Sequence, residues 1–163
     1  MSLTYLVEYA ENAKLVLDLA KKEMRHLSYT HSTLFDQTID IQWVQSLIER
    51  EDRSEKIDAF VSRFSRLQDH IGEKLIPKFA QLLGENPKSL LDVLNYAEKM
   101  CWIDDVEAFI AARKLRNILV HEYLIDAELF LEALLSADQA SHMLMAVVNN
   151  IIDYARKIGL ETD

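Results

Sequence analysis

Only three glycines and two prolines punctuate the 163 residues of this chain, too few for the many tight turns of a sheet protein. That scarcity points to long helices joined by few loops. The single cysteine, Cys101, excludes an internal disulfide and suits a reducing compartment. No uncharged run approaches the roughly 20 residues of a membrane span. Glu8, Glu11 and Lys14 stand where the apolar stretch of a secretory leader would be required. A soluble, cytoplasmic protein is the expectation. Basic residues are also in deficit, 18 Lys and Arg against 27 Asp and Glu, for a net charge of −9. Proteins that coat DNA or RNA do so with a basic face that releases counterions, so such a role is not expected here. A local site for one or two phosphates, or a basic protein partner, remains compatible with the balance.

Chemical motifs are scarce too. There is no Gly-rich phosphate loop, no nucleophile elbow and no informative pair of carboxylates. His26, His31 and His142 lack metal-ligand spacing with any cysteine or carboxylate cluster, so neither a metal nor another cofactor is expected. Cys101 beside Trp102 reads as a small buried hydrophobe.

What the chain has is helical periodicity. Half its residues are hydrophobic, enough for one domain with a proper core. Leu6, Ala10, Ala13, Leu17 and Ala20 place a first helix over about 3–27, followed by a polar break at 28–33. Asp36 or Thr38 then caps a short helix carrying Ile39, Trp43, Val44 and Leu47. The charged cluster 49–55 marks a turn or a helix start. Ile57, Phe60, Phe64, Leu67, Ile71, Leu75, Phe79 and Leu82 define a long amphipathic helix ending near Gly84, which Pro77 should kink or cut short. Pro87 opens a helix with Leu90, Leu91, Leu94 and Ala97 that stops around Trp102. Asp104 and Glu107 cap the next, which runs to about Tyr123. Asp126 caps a last region from Phe130 to Ala155, closed by Gly159 and with room for a break at 136–138. No internal repeat or linker interrupts the chain. The expected fold is all-α, an up-and-down bundle of five to six helices in one domain over 1–163, with an added helical segment possible at about 28–53.

The helix after Asp104 carries two faces. Ala108, Ala111, Ala112, Leu115, Ile118 and Leu119 form an expected core stripe, while Arg113, Arg116, Asn117, Val120, His121, Tyr123 and Leu124 fall opposite. Asn117 and His121 are one turn apart, and Arg116 and Tyr123 two turns. Interleaved with Phe109, Val120 and Leu124, read as exposed, these polar groups suggest a partner surface. A symmetric dimer would pair that patch with itself. Elsewhere, Arg63, Arg66, Asp69, His70 and Glu73 read as a solvated strip in which Arg66 or His70 could border a cleft. Arg113 could bind phosphate or pair with Glu107 or Glu122.

The string Arg116-Asn117-Ile118-Leu119-Val120-His121-Glu122-Tyr123 resembles the Arg-x4-His-x-Tyr signature of HepT-type members of the HEPN family of helical domains. It is also similar to small helical partners of minimal nucleotidyltransferases. The likeness is close over about 104–131 and architectural elsewhere. It implies a homodimer whose motifs line a shared cleft, and metal-independent cleavage of RNA there. By that resemblance Arg116 stabilises charge on phosphorus and His121 transfers the proton as catalytic residues, while Asn117 orients the imidazole or the phosphate; Arg113, outside the motif, is a further candidate to bind or orient the substrate. The chemistry suits the residues: a guanidinium fork matches phosphate and an imidazole titrates near neutrality. Tyr123 is implied as the site at which a cognate nucleotidyltransferase antitoxin adds a nucleotide. The alternative is a non-catalytic module that holds nucleotide or substrate for such a partner.

Overall fold

The computed structural model describes residues 4–160, and among them there is no strand. The α-helices are α1 (Ala10–Leu34), α2 (Ile41–Gln45), α3 (Glu51–His70), α4 (Ile76–Leu82), α5 (Leu90–Lys99), α6 (Val106–His121) and α7 (Ala127–Lys157). A π-helical turn, Ile71–Leu75, joins α3 to α4 without a break, so the bundle has six helical rods. The all-α bundle expected from composition and periodicity is the fold observed.

α1, α3 and α7 supply most of the core, which is one continuous cluster. The apolar repeat from Ile57 to Leu82 is essentially inaccessible along its whole length. Phe60 stacks on Phe64 and meets Phe35 edge-on, with ring centroids 5.7 and 5.4 Å apart. Pro77 lacks the N–H that a regular turn would use, and the wider π turn immediately before it absorbs the mismatch. Gly72 sits in that turn where a Cβ would come within 3.3 Å of Leu90 Cδ1, so the close approach of α5 rests on its missing side chain.

Several local boundaries differ from the sequence reading, each for a physical reason. The expected start at Leu3 lies outside the described residues; the α1 helix proper begins at Ala10, after a 3-10 turn at Val7–Tyr9. The polar break at 28–33 does not occur. Ser32 and Thr33 donate their hydroxyls to the Tyr29 carbonyl at 2.9 and 3.1 Å, which satisfies them inside a helix. Buried Leu27, Thr30 and Leu34 carry the core spacing across the segment. The cap of α2 is Asp40, whose carboxylate accepts from the Trp43 N–H at 2.8 Å, not Asp36 or Thr38. Ser89, not Pro87, starts α5, through a capping box with Asp92. Asp105, not Asp104, caps α6, and that helix ends at His121. The break expected at 136–138 does not occur: α7 runs through it with Ala133, Leu134, Ala137 and Ser141 buried at helical spacing, and Ser141 returns its hydroxyl to the Ala137 carbonyl at 2.8 Å.

Cys101 is exposed, not buried. It takes a left-handed φ of 63° just past α5, while the chain turns back through the bond from Trp102 N–H to the Ala97 carbonyl at 2.9 Å. Trp102 fills the core in its place.

Candidate functional site

α6 is seated by Val106, Phe109, Ala112 and Leu119, all buried. The core stripe drawn from sequence is therefore rotated: Ala108 and Ala111 face solvent, and Phe109 is fully inaccessible. A methyl group buries too little area to decide which side faces in, whereas a phenyl ring does.

With that seating, Arg116, Leu119, Val120 and Tyr123 form one row, and α3 faces it with Asp58, Ser62, Ser65, Arg66 and Asp69. Between the rows lies a groove of about 460 Å³, within the size range of small-molecule sites. Buried Ile57 and Leu119 form its floor.

Arg116 stands at the rim, its side chain 52 % exposed, and donates from Nη1 to Asp69 at 3.3 Å. Arg113 approaches the other oxygen of Asp69 at 4.0 Å, and its buried Nη1 has no hydrogen-bond partner among the described residues. Neither Glu107 nor Glu122 forms an ion pair with it there. Ser65 is 7 % exposed, lines the groove, and its hydroxyl is likewise without a partner. A hydroxyl so placed can bond to a water or to a polar ligand in the groove. Tyr123 packs its ring at 5.7 Å from Phe130, and its phenol shares a short hydrogen bond with Ser54 at the start of α3.

Not every residue of the motif joins the groove. Arg116 and Tyr123 line it, and Arg66 from the long helix does too. Asn117 and His121 are exposed but lie outside the lining, and Arg113 reaches only Asp69. His70 is turned away, bonded to the Val16 carbonyl at 2.7 Å. Ser54, Ser65 and Asp69 complete the site, and only Asp69 had been placed on a polar strip by the sequence.

Beyond the motif the chain turns through Leu124, with a left-handed φ of 62°. The turn leaves Leu124 and Ile125 exposed beside exposed Ile48, and Val120, one turn before Leu124, is exposed as well. Val44, Gln45, Ile48, Leu124, Ile125 and Ala127 surround a smaller hollow there. No helix among the described residues is long and apolar enough to cross a membrane. No family model, curated protein or solved structure matches this chain.

Proposed function

We propose that the chain is a HEPN-type, HepT-like endoribonuclease acting in a cytoplasmic setting under the control of a nucleotidyltransferase partner. The observation that carries this reading is the groove in which Arg116 and Tyr123 of the motif meet the unsatisfied hydroxyl of Ser65. A guanidinium at the rim can take two phosphate oxygens. Its present partner is a half-exposed carboxylate, and such surface pairs are worth only about 0–1 kcal/mol, so a phosphate can displace Asp69.

In the proposed reaction the 2′-oxygen of a ribose attacks the adjacent phosphorus and the bond to the 5′-oxygen breaks, leaving a cyclic phosphate. The imidazole of His121 transfers the proton between these two oxygens, and Arg116 stabilises the charge that builds on phosphorus. Asn117 orients the imidazole or the phosphate, and Arg113 supports the anionic site through Asp69. His121 stands outside the groove of its own chain, so the reading needs a homodimer in which the motif ends of two copies meet. The exposed apolar group of Val120, Leu124, Ile125 and Ile48 is the surface offered for that pairing. Addition of a nucleotide to the Tyr123 hydroxyl would fill the groove and silence the enzyme.

Purified chain should cleave single-stranded RNA in EDTA, and His121→Ala should remove that activity without altering thermal stability. Undiminished cleavage by the variant sinks the assignment. The position of His121 outside the groove lining favours one further reading, a non-catalytic module that holds a nucleotide for its partner. Nucleotide binding that depends on Arg116, in a chain that cleaves no RNA, would select it.

A further inference from the structure

The second concentration of chemistry lies between α1 and α7, on residues that the proposed reaction does not use. His31 of α1 and Asp138 of α7 face each other, with Nε2 to Oδ1 at 2.6 Å. His142, one turn beyond Asp138 on the same helix, brings its Nε2 to 3.8 Å from the same oxygen. The two imidazoles meet edge-on with centroids 4.8 Å apart. One donor atom from each of the three residues falls within 4.8 Å of the others. We propose that His31, Asp138 and His142 form a binding site for one divalent transition-metal ion of the zinc, cobalt and nickel class.

The donor chemistry selects that class. Two imidazole nitrogens and one carboxylate oxygen suit borderline ions, whereas calcium and magnesium ask for more oxygen. The geometry is close to what such an ion needs. Bonds of about 2.0–2.2 Å in a tetrahedron place neighbouring donors roughly 3.3 Å apart. The short His31–Asp138 distance must therefore open and the His142–Asp138 distance close, each by well under 1 Å, while donors as far as 4.8 Å apart must draw together by up to about 1.5 Å. These adjustments fall mainly to His142, whose side chain is 63 % exposed and shares one face of α7 with Asp138 at a spacing of four residues. When the ion enters, the proton on His31 Nε2 leaves or moves to Nδ1, so that the nitrogen lone pair faces the metal.

Burial is graded in a way that fits a site with an open position. The side chain of His31 is 13 % exposed and backed by the Phe35 ring at 5.1 Å, while that of His142 is 63 % exposed. Three protein ligands with one side open to solvent leave room for a water or a ligand from a partner. A firm backing is also present: α1 and α7 are both long helices and pack directly on each other, so His31 and Asp138 are held by the core rather than by a loop.

The full-length chain, stripped with EDTA and dialysed, is titrated with Co²⁺ while the visible d–d absorption is followed, and the bound ion is then displaced with Zn²⁺. Saturation at one ion per chain, with the intense bands of four-coordinate cobalt, is the expected result. His142→Ala, which alters an exposed side chain and leaves the fold intact, should weaken binding at least about tenfold. Asp138→Asn should do the same, and His26→Ala, on the exposed surface of α1, should leave it unchanged. Absence of saturable binding at about 100 μM Co²⁺, or a His142→Ala variant that binds like the parent, overturns the proposal. Neither readout depends on RNA cleavage, so the site stands or falls apart from the proposed reaction.

Discussion

Two carboxylates in this bundle sit in nearly the same arrangement and point to opposite chemistry. Asp69 on α3 has two arginines from α6, at 3.3 and 4.0 Å. Asp138 on α7 has two histidines, at 2.6 and 3.8 Å. Each is one acidic group bridging two basic side chains, one close and one further off. The difference lies in the basic partner. A guanidinium stays charged and has no lone pair to give, so the Asp69 group can only exchange its carboxylate for another anion. An imidazole can lose its proton and become a donor, so the Asp138 group can keep its carboxylate and add a cation. One geometry therefore suits an anion beside the groove and a cation between α1 and α7.

The largest effect that tests this contrast is on the anion side. Arg116→Ala should lower RNA cleavage by about 10²–10³-fold, the usual loss when one donor to a developing negative charge is removed. Arg116→Lys keeps the charge but loses the fork and should recover only part of that. Single-turnover cleavage of a labelled oligonucleotide measures both, and a rate for Arg116→Ala within threefold of the parent breaks the assignment of Asp69's partner as the phosphate ligand. On the cation side the next largest effect is on folding. Asp138→Asn leaves largely buried His31 without its carboxylate and should cost about 1–3 kcal/mol in urea unfolding, whereas His142→Ala should cost less than about 1 kcal/mol at its exposed position. Equal losses would mean that the two histidines are held alike.

The two sites were not equally legible in the chain. Arg116, Val120 and Tyr123 lie at helical spacing in one string, and the structure sets them along one groove. What could not be read was the partner row. Asp58, Ser62, Ser65, Arg66 and Asp69 follow the same spacing on α3, but which helix faces them depends on how Phe109 seats α6. Alanines misled here, since they are strong helix formers that serve inside and outside equally. Asp138 and His142 stand one turn apart on α7, a spacing that was passed over when the histidines were read as lacking carboxylate partners, and His31 joins them across 107 positions, which no local pattern signals. The same holds for Ser54 and Tyr123, 69 positions apart. The fold class, by contrast, rests on long periodic segments, which the polar residues within α1 and α7 do not interrupt. Boundaries moved because caps are decided by which hydroxyl or carboxylate reaches the first free N–H groups.

Tyr123 sharpens the comparison from within the groove, because its phenol is already engaged. Tyr123→Phe and Ser54→Ala should each destabilise the fold by about 1 kcal/mol, and the double variant by little more than either alone, since both remove the same hydrogen bond. Ser54→Ala should also make Tyr123 a better acceptor of a nucleotide, because the hydroxyl is released without moving the ring from Phe130. Chemical unfolding and the mass gain with a nucleotidyltransferase, ATP and Mg²⁺ read the two consequences separately. Additive losses in the double variant would show that the two side chains act independently.

The smallest effect is the most direct on the opening contrast. If Asp69 competes with phosphate for Arg116, then Asp69→Asn should strengthen the binding of a nucleoside monophosphate to the groove. The gain is bounded by the worth of a half-exposed ion pair, about 0.2–1 kcal/mol, or roughly 1.5- to 5-fold in affinity. It should shrink in about 1 M salt, where the Debye length falls to about 3 Å and the exposed pair is screened. Asp138→Asn must do the reverse at the other site, weakening Co²⁺ rather than strengthening an anion, because there the carboxylate is a ligand and not a competitor. Isothermal titration of both variants with both ions tests the contrast directly, and an Asp69→Asn chain that binds the nucleotide more weakly than the parent would place that carboxylate among the ligand's supports instead.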